Sequence, residues 1–114
     1  MQNVWTSSDK VAYAADLVAE ATGVHVETLL YSRRRLGHIM EARKMLIMAC
    51  RKFYGMQYAE IADYIPFTPN VLMRHYHSGV ARLRSDSDFE DVWEGIAGRL
   101  LRKIRAKRLA QNDQ

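Results

Sequence analysis

Cysteine is nearly missing from this sequence, with Cys50 alone among 114 residues. A single cysteine excludes an intrachain disulfide and a thiolate-rich metal cluster. Its place on the apolar face of a predicted helix makes it a small core residue. Proline is as scarce, at two residues, and glycine stops at six, which leaves little room for disorder. Strand signals are nearly absent: there is no sustained alternation of polar and apolar residues and no hairpin dipeptide. No apolar run approaches the length of a membrane span. The N-terminus is polar and lacks the apolar segment of a secretory signal, so the expected location is the cytoplasm. No Gly-rich phosphate loop, nucleophile elbow or Cys/His cluster appears, so neither catalysis nor a cofactor is expected. His75 and His77 stand two apart on a predicted helix, point in different directions, and do not form a metal pair.

What the chain does have is helical periodicity almost throughout. Its length suits one domain, and 48% hydrophobic residues can fill a core without staples. A first helix is expected from about Ser8, with Val11, Ala14, Leu17, Val18 and Ala21 as its buried stripe and Gly23 after its end. A helical turn over Val26 to Leu30 leads into a basic loop, Tyr31-Ser32-Arg33-Arg34-Arg35-Leu36-Gly37. The spacing of Ile39, Ala42, Leu46, Ala49, Cys50 and Phe53 predicts a long central helix from His38 to Tyr54, with Arg43, Lys44 and Arg51 off its core face and Gly55 as its stop. A short helix over Tyr58 to Tyr64 follows, burying Tyr58, Ile61 and Ala62, with Gln57 and Glu60 as an imperfect capping box.

Pro66 breaks that helix. Thr68 is a good N-cap, and Pro69 fits the first helical position, where a missing N–H is harmless. The helix beyond should run to about Arg84, with Met73, Tyr76, Val80 and Leu83 inward. Ser87 and Glu90 form a capping box for a last helix, Asp88 to Leu109, acidic at its start and basic at its end in accord with the helix dipole. Phe89, Trp93, Ile96, Leu100 and Ile104 make its apolar stripe. Gly95 and Gly98 weaken it in isolation, so it needs a packing partner. Two parts are thus expected: residues 1–86, and an amphipathic basic helix over 87–114 that either extends the same domain or offers a dimer or partner surface.

The run from Tyr58 to Val71 reads as short helix, tight break, second helix, the pattern of a helix-turn-helix that sets one helix in the major groove of DNA. Charge agrees. The whole chain is only +4, but Ser32 to Gln57 holds seven cations (Arg33, Arg34, Arg35, Arg43, Lys44, Arg51 and Lys52) against Glu41 alone, a local net of +6. Such a segment attracts phosphate. At the start of the second helix Thr68 and Asn70 offer hydrogen bonds to base edges, and Asn can pair with adenine. Val71 suits a thymine methyl, Arg74 a guanine or a phosphate, and His77 lies one turn further on. Arginines on a loop can enter a narrow minor groove or contact the backbone.

About 70 of the 114 residues, from Ala15 to Leu83, resemble the C-terminal DNA-binding domain of the bacterial replication initiator DnaA, its domain IV. The resemblance rests on Val18-Ala19-Glu20, Val26-Glu27-Thr28-Leu29-Leu30, Ser32-Arg33-Arg34-Arg35, Ala42-Arg43-Lys44-Met45 and Tyr58-Ala59-Glu60-Ile61-Ala62-Asp63, with His75 and Val80 at family spacing. The Tyr58 to Ala62 run is also similar to region 4 of sigma factors. The resemblance implies an all-α, multi-helix domain with a central helix-turn-helix, DnaA domain IV or Trp-repressor-like, plus a C-terminal helix, in a bacterial or phage setting. By the same resemblance Arg34 or Arg35 is the minor-groove arginine, Arg51 touches the backbone, and Thr68, Asn70 and Val71 occupy base-reading positions. The family's Asp-His-Thr-Thr-Val signature is replaced by Pro69-Asn70-Val71-Leu72-Met73, which predicts a different DNA site. Only about 14 residues precede the matching segment, so no ATPase module, and no initiator activity, is expected. The expected function is sequence-specific binding of duplex DNA, as a transcriptional regulator. The alternative is an interaction protein that modulates replication or transcription machinery, or pairs with a second copy, through Phe89, Trp93, Ile96, Leu100 and Ile104.

Overall fold

The first helix, α1 (Ser7–Thr22), begins where Thr6 and Asp9 cap one another reciprocally. Thr6 Oγ1 accepts from the Asp9 N–H, and Asp9 Oδ2 accepts from the Thr6 N–H, each at 3.1 Å. It ends at Gly23, whose φ of 77° lies in the left-handed region that favours glycine. Five more helices follow: α2 (Val26–Tyr31), α3 (Gly37–Tyr54), α4 (Tyr58–Ile61), α5 (Pro69–Ser85) and α6 (Ser87–Asn112). The computed structural model describes residues 4–112, and among these there is no strand. The chain is all-α, as its periodicity implies.

The central helix α3 is apolar nearly all round between Met45 and Cys50, the mark of a helix enclosed by others. Helices α1, α2, α4, α5 and α6 all pack on it. Cys50 is fully buried near its C-terminal end, and burial, then Glu60, pushes its thiol up to about 12, so it remains an inert core group. No helix of the described residues is long and apolar enough to cross a membrane.

Several expectations need correction. Regular helix α4 stops at Ile61, not Tyr64. The Asp63 and Tyr64 N–H groups donate to Glu60 and Ile61, three residues back, so the backbone has already tightened ahead of Pro66. Gln57 makes no side-chain cap there. Glu60 instead accepts from the Ser7 hydroxyl at 2.8 Å, tying α4 to α1.

The inner face of α5 holds Tyr76, Val80 and Leu83 against the core as expected, and Met73 alone departs from it. Leu72 and Gly79 are its buried residues, while Met73 is 39% exposed. Gly79 marks where α5 comes closest to α3. A Cβ there would stand 2.5 Å from Met48 Sδ and 3.3 Å from Lys44 Cβ, so the missing side chain is what lets α5 seat against α3.

The cap of α6 is Asp86 rather than Ser87. Its Oδ1 accepts from the Phe89 N–H at 3.1 Å, while Oδ2 accepts from Arg82 Nε and Nη2. The apolar stripe of α6 is not a free partner surface. Phe89, Trp93, Ile96 and Leu100 are each at most 5% exposed, and Ile104 packs partly buried against the same core. Trp93 stacks on Phe53 of α3 with ring centroids 5.8 Å apart. Its packing partners are α1, α3 and α5 of the same chain.

Candidate functional site

The loop Ser32–Leu36 carries three consecutive arginines and must be held against their mutual repulsion. Arg43, on the first turns of α3, holds it. This side chain is fully buried, and its guanidinium donates only to backbone and to Met40 Sδ. Nε donates to the Leu29 carbonyl at 3.3 Å, Nη1 to the Arg34 carbonyl at 2.6 Å, and Nη2 to the Thr28 carbonyl at 2.7 Å and to the Ser32 carbonyl. The planar fork of an arginine suits this array as a lysine would not. Burial, and then nearby Arg35, push its pKa down, yet a guanidinium so placed stays charged at any physiological pH. The expected DNA contact at Arg43 is therefore corrected: the residue is enclosed, and its function is to fix the end of α2 and the loop after it.

With the backbone pinned, Arg33, Arg34 and Arg35 all face solvent. Phe67, in the turn after α4, links this loop to α5. The Arg35 guanidinium lies 5.6 Å from its ring centroid and that of Arg43 5.0 Å, while His75 of α5 meets the ring edge-on at 5.9 Å. The result is an open groove of about 470 Å³. Arg33 and Arg35 line it together with Pro66, Phe67, Thr68 and Val71.

Thr68 is exposed and its hydroxyl accepts from the Val71 N–H at 3.4 Å, the cap that starts α5. Asn70, Arg74 and His77 are exposed and fall at helical spacing on one face, with Met73 beside them. Val71 is half-buried at the groove wall. Lys44 is half-buried where α5 crosses α3. Arg51 is half-buried too, donating to the Met56 carbonyl at 3.0 Å and lying 4.8 Å over the Tyr58 ring, so it secures the junction of α3 and α4. Among the described residues, none of Arg33, Arg34, Arg35, Lys44 or Arg74 has a carboxylate within ion-pair distance. The fold thus gathers unneutralised cations from two elements around the start of α5.

His75 faces the opposite way, inward. Its Nε2 is buried with no hydrogen-bond partner. Burial first, then Lys44, Arg35, Arg74 and Arg43, hold its pKa below the usual histidine value. It is therefore a neutral wedge between Phe67 and α3. Among the described residues no three His, Cys, Asp or Glu side chains assemble as a metal site.

Two participants escaped the sequence reading. Phe67 sits between Pro66 and Thr68 and looks like a turn residue. No local signal ties it to the arginine loop, which is distant in sequence and is brought to it only by the fold. Met73 is the one residue of the expected inward set that is exposed; Leu72, its apolar neighbour, takes the buried place. Comparison of the chain with protein-family models, with curated proteins and with solved structures finds no match.

Proposed function

We propose that this protein binds duplex DNA in a sequence-specific manner and acts as a transcriptional regulator. In this reading α4, the turn over 62–67 and α5 form a helix-turn-helix of the DnaA domain IV kind. The observation that carries it is the groove that unpaired Arg33 and Arg35 line together with Thr68, Pro69 and Val71 at the start of α5.

The mechanism follows from which atoms are free. Helix α5 enters the major groove with Asn70, Met73, Arg74 and His77 toward base edges, since that face has no packing duty. The Thr68 hydroxyl is occupied as a cap, so its contribution is to aim the helix. The arginine loop follows the adjacent backbone or enters the minor groove, where negative potential is concentrated. Arg43 touches no DNA and sets the loop's shape.

A salt titration tests the electrostatics. With ~5 phosphates contacted, log K against log salt should fall with a slope of about −4 to −5. Selection of bound duplexes from a random pool tests the readout, repeated with Asn70→Ala and Arg35→Ala. Asn70→Ala should relax the enriched motif at one or two positions and weaken binding by ~1–3 kcal/mol. A flat salt response, or motifs unchanged by both substitutions, would overturn the reading.

A further inference from the structure

At the far end of α3, ~27 Å from the arginine loop along an 18-residue helix, a second set of cations meets aromatic rings. The pocket there has a volume of about 210 Å³ and lies between the N-terminus of α1, the last turn of α3 and the last turns of α6. Lys10 Nζ lies 6.0 Å and Lys107 Nζ 5.8 Å from the Trp5 ring centroid, so two ammonium groups share one indole. Lys10 is also 5.8 Å from the Tyr54 ring, and Arg108 stands on the pocket wall. No carboxylate lines the pocket, and among the described residues none pairs with these three cations. Tyr54, which also lines it, has a buried hydroxyl without a partner.

Three positive groups in one small recess repel each other, and two of them are compensated only by ring faces. A charge-assisted hydrogen bond to an anion is stronger than an exposed cation–π contact, and long flexible lysine stems can turn from ring to ligand. The volume suits a phosphate group with little attached, and is below the range for larger ligands.

We propose that this recess is a phosphate-binding pocket, in which Lys10, Lys107 and Arg108 take the oxygens of one phosphate group carried by a small ester or by a nucleic-acid strand. The inference stands apart from the duplex-binding reading, because it concerns the opposite end of α3 and its test contains no duplex.

Thermal unfolding of the full chain in inorganic phosphate, against sodium chloride at matched ionic strength, provides the test. Phosphate should raise Tm by several degrees in a saturable way, as a ligand of the native state does, and should change Trp5 emission. The emission change should vanish in Trp5→Phe. Lys10→Ala and Lys107→Ala should each lose most of the Tm response, Lys107→Gln should lose it while keeping its stem over the ring, and Arg34→Ala should keep it. Titration with a nucleoside monophosphate and with a single strand lacking terminal phosphates separates the sources: tighter saturation by the first assigns a small ester, by the second the strand backbone. Equal shifts in phosphate and chloride, or lysine variants that respond as the native chain does, overturn the proposal.

Discussion

The stretch from Arg33 to Lys52 and the stretch from Arg99 to Arg108 each carry a net charge of +6. The fold uses the two in different ways. In the first, one cation is buried so that others can be displayed: Arg43 gives its hydrogen bonds to the carbonyls of residues 28, 29, 32 and 34, and Arg33 to Arg35 project from the backbone it fixes. In the second, successive turns of α6 lean on α1 and the segment just before it. Arg99 pairs with Glu20 at 3.1 Å, Lys103 lies 5.1 Å from the Tyr13 ring, and Lys107 lies over Trp5. Arg102 and Arg105, between them, are exposed. Equal charge therefore makes a shaped loop in one place and a side-by-side helix seam in the other. What separates them is whether an arginine is desolvated with every donor matched to an acceptor.

The largest effect should come from testing that difference directly. Arg43→Met removes the donors of several buried carbonyls and should destabilise the fold by ~3–5 kcal/mol, while Arg105→Met, exposed on α6, should stay within ~0.5 kcal/mol. Urea unfolding of both variants measures the contrast, and equal losses would erase it. A second, smaller effect concerns how the first region is assembled. Gly79→Ala pushes a methyl toward Met48 and Lys44 and should cost about 1–3 kcal/mol; under the proposed duplex binding it should also weaken the complex, because α5 shifts against the loop. The corresponding change in α6, Gly95→Ala, meets nothing within 4 Å and should be neutral or slightly stabilising by helix propensity.

The smallest effect is a pH dependence confined to the first region. His75 has its folded pKa held below 6.5, so the folded state binds its proton less readily than the unfolded state. Its contribution to stability is full above about 6.5, the unfolded value, and is lost as pH falls toward the folded one. Thermal scans between pH 7 and pH 5.5 should show Tm falling, and His75→Phe should flatten that decline. An unchanged slope would mean that His75 is protonated without penalty.

Local rules made most of the elements legible. Gly23 and Gly55, Thr68 with Pro69, and the spacing from Ile39 to Cys50 located α1, α3 and α5 to within about a residue or two, because caps and periodicity act over one or two turns. The same rules failed where the neighbour was distant in sequence. Arg43 lay off the expected apolar face and looked like a phosphate contact. Only the return of residues 28–34 across it supplies the acceptors that make burial of a guanidinium tolerable. The α6 stripe looked the same whether it met this chain or another, since an amphipathic pattern requires a partner and does not identify it.

The sequence by itself determined an all-helical chain, the breaks between helices, and a basic loop upstream of a short helix, turn and capped helix. These depend on backbone conformation and charge, which neighbouring residues set. Tertiary structure alone decided which cations are free. It enclosed Arg43, engaged Arg51 with Tyr58, left Asn70, Arg74 and His77 exposed and brought Arg33 and Arg35 into one groove with Thr68 and Val71. The physical reason is that the availability of a charged group depends on its desolvation and its partners, and both come from parts of the chain far apart in sequence.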